Sequence, residues 1–382
     1  MLKIFISVGE HSGDLLGARL IRALKNELDT QNHLDFQGVG GPLMESEGFK
    51  SIFNFSLLSV MGIKDIFTNF FPILKILRQA SNYNLAWKPD VIITIDAPEF
   101  NLRLASRIRK KWKNVKIVHY VLPSVWAWRQ ERVKILKKNI DHILLILPFE
   151  KEFLKKFNIQ CDFVGHPISS SLQPKTRDVI SFKRSLNIKD KTKIVTLLPG
   201  SRISEVNRML PIFLETARLL IAKFPDTVFI CPTPKVVERS FKKLVSESNI
   251  KIKHISAESV SSDEFNKLKN SLYACTDLAL VTSGTVVLEL SKASVPMIVG
   301  YRAGFLTEII YRLFIKIPSA NLVNLITKRN DVPEFLFNRC NSKNFYCQAK
   351  LLLGEKKRAE AQLISSKQAI RELGYGSIDP SI

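Results

Sequence analysis

Three stretches of this sequence carry residues whose types and spacing could do chemistry. Asp96 stands at the carboxyl end of the apolar run Val91-Ile92-Ile93-Thr94-Ile95. A carboxylate there, pointing into a cleft, is placed to act as a general base, or else to cap the next helix. The run Lys193 to Leu198 ends in Pro199-Gly200-Ser201-Arg202 and then enters a helix marked by Val206, Met209, Leu210, Phe213, Leu214 and Ala217, with Ser204 placed to cap and Glu205 in the first turn. Backbone N–H groups at such a helix start attract anions, and Arg202 adds a planar fork of donors suited to phosphate oxygens. Thr282-Ser283-Gly284-Thr285 repeats that design after Asp277 to Val281, and Glu289 follows Thr285 at i+4 on the same helix face. A phosphate at that helix start would bring an attached ribose near Glu289, which could accept its hydroxyls. Either loop alone reads as an ordinary turn, but two in one domain point to a nucleotide.

The elements that must position these residues alternate along the chain. Ile4 to Val8 is a strand running into Gly9-Glu10-His11-Ser12-Gly13-Asp14, and Leu16, Leu20, Leu24 and Leu28 mark the helix behind it. Glycines 9, 13 and 17 do not spell the G-x-G-x-x-G of nicotinamide sites, yet the loop sits where open α/β sheets take ligands. A second glycine turn spans Gly38 to Pro42. Strands follow at 116–121 and 143–146, separated by Pro123-Ser124-Val125-Trp126-Ala127-Trp128-Arg129, whose indoles could line a sugar or acyl groove or sit in the core. His166, in Gly165-His166-Pro167, reads as a turn residue. Further strands are expected at 228–231, 250–255 and 296–301 and a helix at 306–314, with Asn321 to Asn324 and Val332 to Glu334 in loops and a charged helical tail from Ser342. The pattern predicts two doubly wound parallel-sheet domains, 1–170 and 191–345, joined by a linker at 171–190. The tail, 346–382, is free to return to the first domain.

At 382 residues the chain can bury two or three cores. Its net charge of +22 implies an anionic partner, and without a recognition helix, zinc finger or RNA-binding motif a membrane surface is favoured over nucleic acid. Five cysteines with no C-x-x-C pair fit a reducing compartment. With no signal peptide and no run of ~18 apolar residues, a cytoplasmic protein is expected. The apolar stretch Leu57 to Leu77, broken by Lys64, Asp65 and Pro72, could lie in a membrane interface through Phe67, Phe70, Phe71 and Lys75, or pack against core or a partner subunit. No D-x-D pair occurs, so neither metal nor cofactor is expected.

Taken together the motifs resemble the lipid-A-disaccharide synthase family, inverting glycosyltransferases of the two-domain GT-B type, over nearly the whole chain. The marks are Ser7 to Asp14, Gly38-Val39-Gly40-Gly41, Leu58-Ser59-Val60-Met61-Gly62, Ile95 to Asn101, Pro123 to Arg129, Leu147-Pro148-Phe149-Glu150, Gly165-His166-Pro167, Leu198 to Arg202 and Ser283-Gly284-Thr285. Val8 and His11 replace usual alanines, and Asn321 to Asn324 is a loose match to the family's asparagine loop. The resemblance implies an α/β GT-B fold, two Rossmann-like domains facing across a cleft. The implied reaction passes the sugar of UDP-2,3-diacylglucosamine to the 6-hydroxyl of 2,3-diacylglucosamine 1-phosphate, releasing UDP. Asp96 would be the base. Gly200, Ser201, Arg202, Ser283, Gly284, Thr285, Glu289 and Asn324 would hold UDP. Glu10, Ser12, Gly13, Asp14, Glu99, Asn101, Trp126 and Arg129 would form the acceptor loops. The partners would be the two acylated sugars and the anionic inner face of a Gram-negative inner membrane, with no nucleic acid and a homodimer allowed for. The alternatives are another GT-B enzyme of UDP-sugars, an epimerase or UDP-GlcNAc transferase, or a non-catalytic basic protein binding membrane or nucleic acid.

Overall fold

Runs of β-branched and aliphatic residues that are apolar on both sides suit strands covered on both faces, and that is where they lie. The computed structural model describes residues 1–28, 33–53, 70–169, 173–304, 308 and 318–374. Two compact units are present, Met1–Ser170 and Ser171–Tyr375. Apart from residue 308, the expected helix at 306–314 lies outside the described residues, as does most of the Leu57–Leu77 stretch, Phe67 included.

In the first unit the strands are β1 (Leu2–Val8), β2 (Leu34–Val39), β3 (Lys50–Ser51), β4 (Val91–Ile95), β5 (Lys116–Tyr120), β6 (His142–Leu145) and β7 (Cys161–Phe163). All pair in parallel in the order β3-β2-β1-β4-β5-β6-β7. Alternate residues divide between two cores. Phe5, Ile92, Ile117 and Ile143 pack on one side with residues of the helices Phe70–Trp87, Pro98–Lys111 and Arg132–Asn139. Ile4, Ile6, Ile93 and Ile95 pack on the other with helix His11–Leu28. The winding direction reverses between β1 and β4, so the loops leaving those two strands flank the crevice where doubly wound sheets take ligands.

The second unit repeats the plan with β8 (Ile194–Leu198), β9 (Val228–Thr233), β10 (Ile252–Ser256), β11 (Leu278–Thr282), β12 (Met297–Tyr301) and β13 (Glu334–Leu336), ordered β10-β9-β8-β11-β12-β13 and parallel. Its reversal falls between β8 and β11, the strands that carry the two glycine loops. Three details differ from the sequence expectation. Strand β9 runs on through Pro232, which lies past its last partner on β8 (Ile230 against Thr196) and so needs no N–H on that side. Glu334 opens an edge strand beside Val299 rather than lying in a loop. Asn321 is the cap of helix Leu322–Thr327, its Oδ1 accepting from Val323 N at 2.9 Å. The tail helices Ser342–Gly354 and Lys356–Glu372 pack inside the second unit. Phe345 meets Phe213, and the Gln362 amide exchanges two hydrogen bonds with the Met297 backbone.

Candidate functional site

The first unit builds its candidate site around a strained turn. Asp96 and Ala97 both adopt left-handed backbone, with φ of 49° and 44°, which for non-glycine residues persists only when surroundings enforce it. Asn101, fully buried on the following helix, does the enforcing. Its amide nitrogen lies 2.8 Å from Asp96 O, 3.0 Å from Ile95 O and 3.2 Å from Ser7 O, and its Oδ1 accepts from the Ser7 hydroxyl at 2.7 Å. Gly9 is required beside it, because a Cβ there would stand 2.5 Å from that of Ala97. The Asp96 carboxyl is held above the usual carboxylate range by burial and then by the charge of Glu10, while the Ala97 N–H acts the other way. A raised, partly solvated carboxylate beside a second acid is suited to accept a proton.

Around this turn Glu10 and Ser12 are exposed, whereas Gly13 is buried against Val8. Glu99 is committed to Arg129, at 2.9 Å, and to Arg132. The Arg129 guanidinium also lies 4.3 Å over the Trp128 ring, so these arginines lock the tryptophan loop to the helix that follows Asp96. Trp126 is anchored inward. Its Nε1 donates to Glu150 Oε1 at 3.2 Å and its ring meets Phe149 edge-on. Burial lifts the Glu150 carboxyl to about 8, opposed by donors from Leu147 and Trp126.

In the second unit the turn after β8 and the turn after β11 border one cavity of about 420 Å³. Gly200, Ser201, Arg202, Ser283, Gly284, Thr285 and Glu289 all line it. Gly200 has φ +118°, open to glycine alone at no strain. The cap of the helix Ile203–Lys223 is not Ser204. Arg202 is the cap residue, and the Glu205 carboxylate accepts from Ser201 N at 3.1 Å and Arg202 N at 3.4 Å. Those two N–H groups, expected to face an anion, are therefore already used. What remains toward the cavity is the Arg202 guanidinium, 72% exposed and paired at 3.0 Å with Glu205, together with the open Gly284–Thr285 turn. An exposed pair of this kind is weak and exchanges readily for phosphate. Glu289 pairs with Lys269 at 3.0 Å.

Three expected site residues are engaged elsewhere. Asp14 is buried and its two oxygens accept from Gly41, Leu43 and Met44 N at 2.9 to 3.1 Å, tying the second glycine turn to the first helix. Asn101 holds the Asp96 turn from inside and does not face a ligand. Asn324 is buried and bonds Val332 in both directions at 2.9 and 3.1 Å, lining a separate hollow beside Pro318 and Glu334. Phe70 and Phe71 open the helix Phe70–Trp87, their side chains lying outside the described ones. Lys75 is exposed, but Ile76 and Leu77, assigned to the same apolar stretch, are core. Among the described residues no helix is long and apolar enough to cross a membrane, and no three His, Cys, Asp or Glu side chains are grouped to hold a metal. Sequence reasoning missed Phe265, Lys269 and Tyr273, which line the cavity from one helix; their i, i+4, i+8 spacing was the available signal.

Residues 4–378 match the family described as lipid-A-disaccharide synthetase. A protein named lipid-A-disaccharide synthase from Rhodospirillum centenum is 35% identical over 380 residues, 100% of this chain and 92% of its own length. One of the same name from Blochmanniella pennsylvanica is 39% identical over 341 residues, 89% of this chain and 84% of its own. Among solved structures, a UDP-GlcNAc 2-epimerase from Neisseria meningitidis bound to UDP-GlcNAc aligns with TM-score 0.62 at 13% identity, over 97% of this chain and 98% of that one. A glycosyltransferase from Rickettsia africae aligns with TM-score 0.58 at 15% identity, over 98% and 95%. At such identities these two likenesses speak for the α/β GT-B fold alone.

Proposed function

The chain belongs to the lipid-A-disaccharide synthetase family, and from that premise we propose that it joins UDP-2,3-diacylglucosamine to 2,3-diacylglucosamine 1-phosphate with inversion. The acceptor 6-hydroxyl oxygen attacks the anomeric carbon, the bond from that carbon to the UDP oxygen breaks, and the hydroxyl proton passes to Asp96. UDP leaves with the bonding pair. Its diphosphate is met by Arg202 and the Gly284–Thr285 turn and its ribose by Glu289, with no metal taking part. The charge of +22 and the apolar stretch before the helix Phe70–Trp87 suit an enzyme working at the anionic cytoplasmic face of the inner membrane, where both acylated substrates reside.

The observation that carries this reading is the convergence of both glycine turns, Arg202 and Glu289 on one cavity at the switch point of the second sheet. The test offers the purified protein the acylated and the water-soluble UDP-sugar in parallel. Disaccharide and UDP from the acylated donor alone are expected. Epimerised UDP-GlcNAc, or transfer from the unacylated donor only, would assign the site to a different UDP-sugar reaction.

A further inference from the structure

Phe265, Lys269 and Tyr273 recur every four residues on the helix Ser262–Ala274 and turn one face of it into the nucleotide cavity. Two of them converge on Glu289, which reaches the same place from the helix Val286–Lys292. The Lys269 ammonium lies 3.0 Å from Glu289 Oε2 and 6.0 Å over the Tyr273 ring. Tyr273 is 2% exposed, lines the same cavity, and has its hydroxyl near enough to the Glu289 carboxylate to feel its charge. Burial first and that carboxylate second hold the hydroxyl proton well above its ordinary range, so the group stays a donor at every working pH. Glu289 Oε2 is itself buried against Lys269, whereas the side chain as a whole stays 32% exposed, which leaves the other oxygen as the acceptor on the cavity side.

Charge bears on the same arrangement. Two carboxylates line this cavity, and each has its own cation: Glu205 has Arg202 and Glu289 has Lys269, both at 3.0 Å. A glutamate without its lysine would repel an incoming diphosphate, whereas a neutralised one can receive hydroxyl groups beside it. A carboxylate paired with Lys269 and packed beside the Tyr273 hydroxyl also turns less freely about its last torsion.

We infer that Lys269 and Tyr273 are positioning residues that hold the Glu289 carboxylate toward the ribose hydroxyls of a nucleoside diphosphate, and that this makes the cavity selective for ribonucleotides over 2′-deoxyribonucleotides. The inference rests on the UDP site proposed above and adds the residues that set its sugar specificity.

Calorimetric titration of UDP and 2′-deoxy-UDP into the full-length protein tests it. The unsubstituted protein should prefer UDP by about tenfold or more, the worth of one charge-assisted hydrogen bond. Tyr273→Phe, which keeps the ring, and Lys269→Met, which keeps the stem, should each bring that preference down toward about twofold, and Lys269→Arg should restore it. A purely structural role would lower both affinities together and leave their ratio alone. If Tyr273→Phe fails to fold, Lys269→Met carries the same expectation from a partly exposed position. Preserved discrimination in the variants, or none in the unsubstituted protein, overturns the inference while the UDP site stands. No binding of UDP by the unsubstituted protein overturns the site and the inference together.

Discussion

Asn101→Ala removes the clamp on the Asp96 turn without touching any exposed group, and its cost can be worked from the contacts. The substitution leaves the buried Ser7 hydroxyl without its acceptor at 2.7 Å and the Asp96 carbonyl without its donor at 2.8 Å. At about 1–3 kcal/mol for each buried group left unpaired, the loss is about 2–6 kcal/mol. The left-handed backbone at Asp96 and Ala97, each at about 1–2 kcal/mol above the ordinary region, is then held by main-chain bonds such as Asp96 N to Tyr120 O at 2.9 Å, without the side-chain clamp. The turn should relax and carry the carboxylate off its line to the acceptor, lowering turnover at least about tenfold. All four tryptophans, at 87, 112, 126 and 128, belong to the first unit, so urea unfolding followed by indole emission reads the stability of that unit alone. UDP affinity, set in the second unit, should not change. A loss below about 1 kcal/mol together with undiminished turnover would refute the assignment of Asn101 as the clamp.

Three further outcomes are expected. In Gly200→Ala the new Cβ would stand 2.4 Å from Glu205 Oε2 at a φ of +118°, so calorimetry should find UDP affinity down by about tenfold or more, with the second unit less stable by about 1–3 kcal/mol; a variant with native affinity would contradict it. Arg202→Ala should weaken UDP binding comparably yet leave the melting temperature in place, since the exposed pair with Glu205 contributes little to folding; unchanged affinity would show the phosphate turn to be misassigned. Burial lets Glu150 hold its proton up to about 8 in the folded chain against an ordinary value of 4.5. The unfolded chain therefore ionises first, and stability, complete below the lower value, declines by at most about 1.4 kcal/mol per pH unit until the upper one is passed. Glu150→Gln should flatten that decline between about pH 5 and pH 8 in urea midpoints, and an unaltered slope would remove Glu150 as its source.

The chemistry-bearing turns were legible because each follows a buried parallel strand. Strands covered on both faces must be continuously apolar, so Val91 to Ile95, Ile194 to Leu198 and Leu278 to Thr282 announce themselves, and the polar or glycine residue ending each marks the ligand side of the sheet. What escaped was the long-range partner. Asp14 has the composition of a site residue, but its partners are backbone N–H groups at residues 41 to 44, and no local pattern says so. Asn324 is likewise spent on Val332. The face of Phe265, Lys269 and Tyr273 has ordinary amphipathic spacing and acquires meaning only when Glu289 is folded against it. Glu205 reaching back to cap Ser201 and Arg202 is the usual partner at the third helical position, but a cap placed at Ser204 starts the helix two residues late and hides it.

The central claim is that Asp96 takes the acceptor proton while UDP is held independently by the second unit. The measurement closest to it pairs turnover of the two acylated sugars with UDP affinity, both in Asp96→Ala. Disaccharide formation should vanish with the UDP dissociation constant unchanged; near-normal turnover in this variant would contradict the claim outright.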